Sequence, residues 1–133
     1  PYAIGKMQRA LDMSIEWAKQ RVTFGRPIAD RQAIQWRLVD MHVDITALRS
    51  MTYEMAARAD AGEDVRAEAA VVKLCSGEWG ARVLDSAIQV HGAMGETLEL
   101  PLTYFYRLLR HAQIGGGTTE IQKVLIARKL LGK

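Results

Sequence analysis

One apolar stripe, which runs without interruption from Ile34 to Ala59, constrains the fold of this chain more than any other feature. Its members recur every three or four residues, the spacing that places side chains on one face of an α-helix. They are Ile34, Leu38, Met41, Ile45, Leu48, Thr52, Met55 and Ala59. A helix of about 30 residues is about 45 Å long, far longer than the average helix. Because such a helix is stabilised mainly by packing along its length, the stripe predicts a helical bundle.

A second long helix is predicted before this stripe. We expect it to end between Phe24 and Pro27, because Gly25 permits a turn and proline cannot continue a helix. Asp30 is then the expected N-cap of the stripe helix, and Ala61 and Gly62 mark its end. The apolar face of the first helix consists of Ile4, Met7, Leu11, Ile15, Ala18 and Val22.

A third long helix is predicted between Asp64 and Gly92, and it is apolar on two faces. One face consists of Ala67, Val71, Leu74, Ala81, Leu84 and Ile88. The other consists of Val72, Cys75, Trp79, Val83, Ala87 and Val90. A helix with two apolar faces must be covered on both, by its own bundle or by another subunit.

The end of the chain predicts a short helix after Pro101 and a last helix from Thr119 to Leu131, joined by a glycine-rich link. No stretch alternates as a strand would, and no internal repeat is present. The sequence therefore predicts an all-α fold, an antiparallel up-and-down four-helix bundle, with residues 1–133 as one domain.

Composition excludes several classes of protein. Of the 133 residues, 49% are hydrophobic and 25% are charged, which excludes a disordered or low-complexity chain. No apolar run reaches the length of a membrane span, and the net charge of +3 is spread among interleaved acids and bases, so it does not indicate a nucleic-acid surface. The single Cys75 excludes an internal disulfide, which favours an intracellular protein. Because the chain starts at Pro1, we expect it to be a piece of a longer polypeptide.

Metal-dependent and nucleophilic catalysis find no support in the sequence. Di-iron bundles need Glu-x-x-His pairs, which are absent, and His42, His91 and His111 lie in separate predicted elements. We therefore predict no metal site. Cys75 lies on an apolar stripe, where cysteine usually acts as a small hydrophobic residue. No Gly-x-Ser-x-Gly elbow or zinc-protease motif occurs.

Two segments combine residue types that suit ligand binding. Residues 21–28 place two arginines, a hydroxyl group and an aromatic ring around a tight corner, and Arg31 and Gln32 follow. The guanidinium fork matches phosphate oxygens, so this corner could bind a pyrophosphate, although an arginine that only caps the first helix is the simpler interpretation. Residues 114–122 place three glycines before a helix start, where backbone N–H groups favour an anionic or electron-rich ligand. An ordinary loop would look the same.

Together and in this order, the motifs resemble those of the C-terminal helical domain of the acyl-CoA dehydrogenase family, over essentially the whole chain. The blocks that carry the resemblance are Gly5 with residues 7–10, residues 21–28 with Gln32, residues 87–95, residues 99–102 with Arg107, and residues 114–122 with 126–128. Five ordered blocks at the family's spacing are far more specific than any single motif.

The resemblance implies an FAD flavoprotein that oxidises an acyl-CoA thioester to its trans-2-enoyl form and passes electrons to electron-transfer flavoprotein. It implies a bundle that follows an N-terminal helical domain and a middle β-domain, usually in a homotetramer. The bundle would contribute to its own subunit's active site and to the FAD of a neighbour. The implied location is the cytoplasm of a bacterium, or the mitochondrial matrix or peroxisome of a eukaryote.

The resemblance also assigns site residues by motif position. Contacts to the adenosine and pyrophosphate of FAD would come from Arg21, Thr23, Phe24 and Gln32. A second FAD-contacting segment would be Gln89, Val90, His91, Gly92 and Ala93, and a third would be Thr118, Thr119 and Glu120. Gly117 would lie near the substrate thioester.

Three positions depart from the family pattern. Gly116 stands where many members have the catalytic Glu, so no residue of this chain is assigned the catalytic base. Members of the long-chain and isovaleryl type supply that Glu from the helix that enters this domain, a position that would precede Pro1. Leu108 replaces a common Asp, and Ala93 adds a methyl group where glycine is usual.

Two other functions remain open on the same scaffold. One is related flavin chemistry, in an acyl-CoA oxidase or a flavin monooxygenase. The other is a non-catalytic paralogue or partner subunit that completes a hetero-oligomer, an alternative that Gly116 motivates.

Overall fold

The structure, a computed structural model, describes residues 1–132 and is built almost entirely of helices. In chain order the helices and strands are α1 (Tyr2–Gln20), β1 (Val22–Thr23), β2 (Arg26–Pro27), a short 3-10 helix (Ile28–Asp30), α2 (Gln32–Asp60), α3 (Arg66–His91), α4 (Ala93–Glu96), α5 (Leu102–His111) and α6 (Thr119–Leu131). The helix predicted from the long stripe is α2, with 29 residues. The predicted all-α fold is confirmed.

Helix α3 lies at the centre of the bundle and packs against α1, α2, α5 and α6. Its C-terminal half contacts α5, where Leu109 lies directly against Gly80. Its N-terminal half is covered by α6, and Glu78 of α3 forms an ion pair with Lys123 at 3.6 Å. The fourth position of the bundle is therefore shared by two shorter helices. Within one chain the two apolar faces of α3 are covered in part: Val83 and Leu84 are buried, whereas Trp79 is half-buried.

The core is formed mainly by the facing stripes of α1, α2 and α3. Its fully buried members on these helices include Met7, Leu11, Met41, Ile45, Leu48 and Leu84. Leu102 and Leu109 of α5 complete it. Close approach of α5 requires glycine on α3, because a Cβ atom at Gly80 would lie 2.8 Å from Leu109 Cδ1. The predicted stripes thus identify the residues that hold the helices together.

Three local expectations were wrong, and all concern the corner between α1 and α2. Helix α1 ends at Gln20, before the expected stop, so Val22 lies in β1 and is 56% exposed instead of completing the apolar face of the helix. Asp30 is not the N-cap of α2; it ends the 3-10 helix, and Arg31 precedes the first helical residue without a side-chain cap. The 3-10 turn buries Ile28 against the core, which moves the start of α2 downstream. The corner also contains two paired strands, whereas we expected none; at two residues each they are too short to show alternation.

We expect Leu84→Ala to lower the free energy of unfolding by about 3 kcal/mol, because it leaves a cavity at a fully buried position. The matched control is Leu98→Ala, since Leu98 is 95% exposed and its truncation removes almost no packing. Thermal and urea midpoints of both variants would measure the difference. Equal midpoints would contradict the assignment of Leu84 to the core.

Candidate functional site

The corner after α1 is a tight β-hairpin whose turn requires left-handed backbone. Thr23 pairs with Arg26, so only Phe24 and Gly25 lie between the strands. Their φ angles are 49° and 78°, the signature of a two-residue type I′ turn. Glycine adopts this conformation readily, but a phenylalanine there is strained by about 1 kcal/mol or more.

Phe24 is held in the turn although its ring packs against no core. The side chain is 96% exposed, so burial does not offset the strain. The Arg31 guanidinium lies 5.4 Å from the ring centroid, and its Nη2 donates a hydrogen bond of 2.7 Å to the Thr23 carbonyl oxygen. The hairpin thus presents an aromatic ring and a braced cation on the outside of the domain. Strain without burial is typical of a ligand-contacting position.

A cleft of about 470 Å³ lies beside this hairpin, between the end of α1 and the end of α3. Its wall on the α3 side is ordered by a stack between Trp17 and His91, whose ring centroids are 5.3 Å apart. His91 Nδ1 lies 2.8 Å from the Ala87 carbonyl oxygen, which fixes the orientation of the ring. The cleft is lined by Trp17, Arg21, Thr23, Ile28, Ile34, Gln89, Val90, His91, Gly92, Ala93 and Met94.

The structure brings most of the first two predicted segments into this one cleft. Arg21 and Thr23 line it from the hairpin side, and all five residues from 89 to 93 line it from the α3 side. Phe24 and Gln32 do not line it: Phe24 points into solvent from the turn, and Gln32 is exposed at the start of α2.

The sequence analysis did not assign Trp17 or Met94 to the site, and it named Arg31 in the corner without giving it a role. Trp17 looked like part of the first helix, and its pairing with His91 is visible only once α1 and α3 are packed. The position of Arg31 next to Gln32 was the available signal for a role in the corner.

The cleft also carries positive charge that its own chain does not neutralise. Arg21 is exposed at the rim, and neither it nor Arg26 forms an ion pair with any residue from 1 to 132. An unpaired guanidinium beside hydroxyl and backbone donors suits phosphate oxygens. An exposed ring at the same corner suits a planar heterocycle.

A second candidate location is the triglycine loop, which we define as residues 115–117. The φ angles of Gly116 and Gly117 are 68° and 94°. The backbone N–H groups of residues 116–118 have no acceptor among the described residues, while Thr118 Oγ1 accepts from the Ile121 N–H at the start of α6. Free donors in an open loop can reach an oxygen of a bound ligand.

The cleft and the triglycine loop lie far apart on the same helix. Gln113 Nε2 donates to the Gly77 carbonyl oxygen at 3.0 Å, which places the loop beside the N-terminal half of α3. At about 1.5 Å per residue, the helix from Gly77 to Gln89 is about 18 Å long. The predicted FAD residues Thr118, Thr119 and Glu120 therefore lie at a different site from Arg21 and Gln89 within one chain.

No proton-transfer group stands in the triglycine loop. Gly116 has no side chain, and a Cβ atom built there would meet only Lys73 Cε, at 3.8 Å. Hydrogen bonds from its own backbone N–H and from the Thr118 hydroxyl lower the pKa of the nearby Glu120, which makes this carboxylate a weaker base. Burial raises the pKa of the Cys75 thiol, which disfavours the nucleophilic thiolate.

Neither a metal-binding cluster nor a membrane-spanning helix occurs in the part of the chain that the structure describes. Within residues 1–132, no group of three His, Cys, Asp or Glu side chains could hold a metal ion. None of the described helices is long and apolar enough to cross a membrane.

Comparisons with known proteins show the family of the chain. Residues 1–131 match the profile described as "Acyl-CoA dehydrogenase, C-terminal domain". The chain belongs to the acyl-CoA dehydrogenase family.

The chain spans about a third of the length of the relatives that it matches. It is 40% identical to a 3-sulfinopropanoyl-CoA desulfinase from Paraburkholderia xenovorans, over 98% of this chain and 34% of that protein. Butyryl-CoA dehydrogenase from Megasphaera elsdenii superposes with a TM-score of 0.94 at 33% identity, over 97% of this chain and 34% of that one. The FAD complex of PigA superposes with a TM-score of 0.92 at 34% identity, over 96% and 33%.

We expect Phe24→Asn to leave the stability of the domain unchanged or to raise it by up to about 1 kcal/mol, because Asn tolerates left-handed backbone. Phe105→Asn is the matched control, since Phe105 packs partly buried against the core and its replacement should lower the melting temperature. A drop in melting temperature for Phe24→Asn as large as that of the control would show that the exposed ring stabilises the fold.

Proposed function

We propose that this chain is the C-terminal bundle domain of an FAD-dependent acyl-CoA dehydrogenase, which oxidises an acyl-CoA thioester to the trans-2-enoyl-CoA. The observation that supports it most is the cleft, in which the hairpin residues Arg21 and Thr23 face the segment from Gln89 to Ala93. Family membership supplies the reaction class, and the cleft supplies a site whose donors suit a dinucleotide.

The residues of the cleft, together with Phe24 and Gln32 beside it, fit the adenosine and pyrophosphate part of FAD. The Arg21 guanidinium and the Thr23 hydroxyl would bind pyrophosphate oxygens, and Phe24 would stack on the outer face of the adenine. Gln32 and Gln89 would add amide hydrogen bonds, and the open space at Gly92 would admit the cofactor close to the backbone, since a Cβ atom there would meet nothing within 4 Å. The Ala93 methyl group would narrow the same path.

The triglycine loop would serve the reacting end of the site. FAD, when bound, supplies the acceptor for the hydride that leaves the acyl chain. The N–H groups of residues 116–118 would donate to the thioester carbonyl oxygen and stabilise the charge that develops on it as the α-proton leaves. Thr118, Thr119 and Glu120 would contact a flavin from the start of α6, and Gly117 would lie next to the thioester.

Both sites are used only in a larger assembly. The family resemblance implies that the bundle gives its triglycine loop to its own active site and its cleft to the FAD of a neighbour. The cleft and the loop, about 18 Å apart along α3, would then serve two different FAD molecules. Helix α2 leaves Trp36, Val39, Val43 and Tyr53 exposed on one face, and this face would contribute to a homo-oligomer. The catalytic base would come from the helix that enters the domain, and electron-transfer flavoprotein would take the electrons.

A second candidate is a non-catalytic subunit of a hetero-oligomer, which the absence of a side chain at Gly116 favours. A flavin oxidase or monooxygenase on the same scaffold is the third. The three differ in what the whole polypeptide does with a bound flavin and an acyl-CoA.

The decisive experiment purifies the whole polypeptide that contains residues 1–133 and incubates it with butyryl-CoA or isovaleryl-CoA and an artificial electron acceptor. We expect bound FAD and a product lighter by two hydrogens. A folded protein without flavin would overturn the proposal. Turnover coupled to oxygen consumption would support an oxidase, and bound flavin with no turnover and no carboxylate upstream of Gly5 would support the non-catalytic subunit.

We expect Arg21→Ala in the whole protein to raise the Kd for FAD about tenfold, which is about 1.4 kcal/mol, because a charge-assisted bond to the pyrophosphate is lost. Titration of the apoprotein, followed by quenching of flavin fluorescence, would measure it. Arg26→Ala is the matched control, since Arg26 carries the same charge on the same hairpin but does not line the cleft. An equal loss in both variants would indicate only general electrostatic attraction.

A further inference from the structure

Helix α6 contains one buried residue, and that residue is polar. Gln122 is 7% exposed, while Ile121, Val124 and Leu125 of the same helix are at least 41% exposed. Burying an amide is costly unless it is hydrogen-bonded, and a leucine would bury more apolar area at the same position. The contact that Gln122 makes therefore requires a specific explanation.

That contact is with the triglycine loop. Gln122 Nε2 donates to the Gly117 carbonyl oxygen at 3.2 Å. Among the described residues this is the one hydrogen bond to either Gly116 or Gly117. The other side-chain hydrogen bonds nearby involve the residues that precede the loop. Lys73 Nζ donates to the Ala112 carbonyl oxygen, and Gln113 Nε2 donates to the Gly77 carbonyl oxygen.

The bond fixes the direction of the donors as well as the position of the loop. In a trans peptide the C=O and the following N–H point in opposite directions. Because the Gly117 carbonyl faces the buried Gln122 amide, the Thr118 N–H points away from it, and that N–H has no acceptor among residues 1–132. The Gln122 side chain also packs closely against the Gly117 backbone, since a Cβ atom at Gly117 would lie 2.6 Å from Gln122 Nε2.

Without this bond, two successive left-handed glycines would leave the peptide free to rotate. Glycine has the widest range of backbone conformations of any residue, so a loop of glycines loses the most entropy when it is ordered. A donor that must be ordered during each turnover stabilises a transition state less than one held in place beforehand.

We infer that Gln122 is a positioning residue, which holds the Gly117–Thr118 peptide so that its N–H faces the thioester. The effect on catalysis rests on the proposed function, whereas the hydrogen bond from Gln122 to Gly117 does not. Because Gln122 is buried, it would act through Gly117 and not by touching substrate or cofactor itself.

The test uses the whole flavoprotein with Gln122→Met, which keeps the length of the side chain and removes the donor. We expect kcat per bound flavin with butyryl-CoA to fall about tenfold while KM changes by less than about twofold, because the lost interaction acts mainly in the transition state. Backbone hydrogen exchange at Thr119, whose N–H donates to the Gln113 carbonyl oxygen, should become about tenfold faster.

Two further variants separate positioning from stability. Ser14→Ala also removes one buried side-chain bond to the backbone, from Oγ to the Ala10 carbonyl oxygen, but far from the loop on α1, and it should leave both readouts unchanged. Gln122→Glu can donate only when its carboxyl is protonated, and burial raises the pKa of such a group. Its kcat relative to wild type should therefore recover as the pH is lowered, whereas that of Gln122→Met should not.

The outcomes are distinguishable. Wild-type kcat per flavin and wild-type exchange in Gln122→Met would overturn the inference, as would a Gln122→Glu variant whose loss is the same at every pH. If Gln122→Met does not fold, the pH dependence of Gln122→Glu decides the question alone. Faster exchange in a protein that oxidises no acyl-CoA would uphold the bond to Gly117 and refute the proposed reaction.

Discussion

The close packing of α3 against its neighbours is the constraint on which the rest of the structure depends. Leu109 reaches the backbone of α3 because position 80 has no side chain, and Gln113 does the same at Gly77, where a Cβ atom would lie 2.9 Å from its Cγ. These two contacts set how near α5 lies to α3 and where its last turn ends. The triglycine loop follows the last turn of α5, so its position depends on the close packing that Gly77 and Gly80 permit in the centre of the bundle.

The two candidate locations depend on opposite ends of the same rigid helix. The hairpin cleft is formed where α3 ends at His91 against Trp17, and the triglycine loop lies beside its N-terminal half. Neither location needs the isolated chain to close around a ligand. Under the proposed function, each would become a site only when another surface is placed against it. The exposed Phe24 ring, and Arg21, which forms no ion pair within residues 1–132, are consistent with that.

The sequence predicted the long helices, because their apolar stripes are the core: Met41, Ile45 and Leu48 are spaced as they are because they face α1 and α3. It also singled out the segments that form the cleft and the triglycine loop, and their binding roles stay predictions. It missed the hairpin and the 3-10 turn before Arg31, since four strand residues carry no periodic signal. The sequence could not predict the stack of Trp17 on His91, because it depends on how α1 packs against α3. It could not predict the hydrogen bond from Gln122 to Gly117 either, because that bond depends on the direction of one peptide group.

The distance between the cleft and the triglycine loop has a genetic consequence. In an oligomer where each bundle gives its loop to one active site and its cleft to the next, a single defective subunit damages two sites in different ways. Mixed assemblies of a cleft-defective chain and a loop-defective chain would then contain some intact sites. Each intact site would combine the loop of the cleft-defective chain with the cleft of the loop-defective chain. Two alleles that are each inactive alone would partly restore activity together, and one strongly defective allele would depress a normal one.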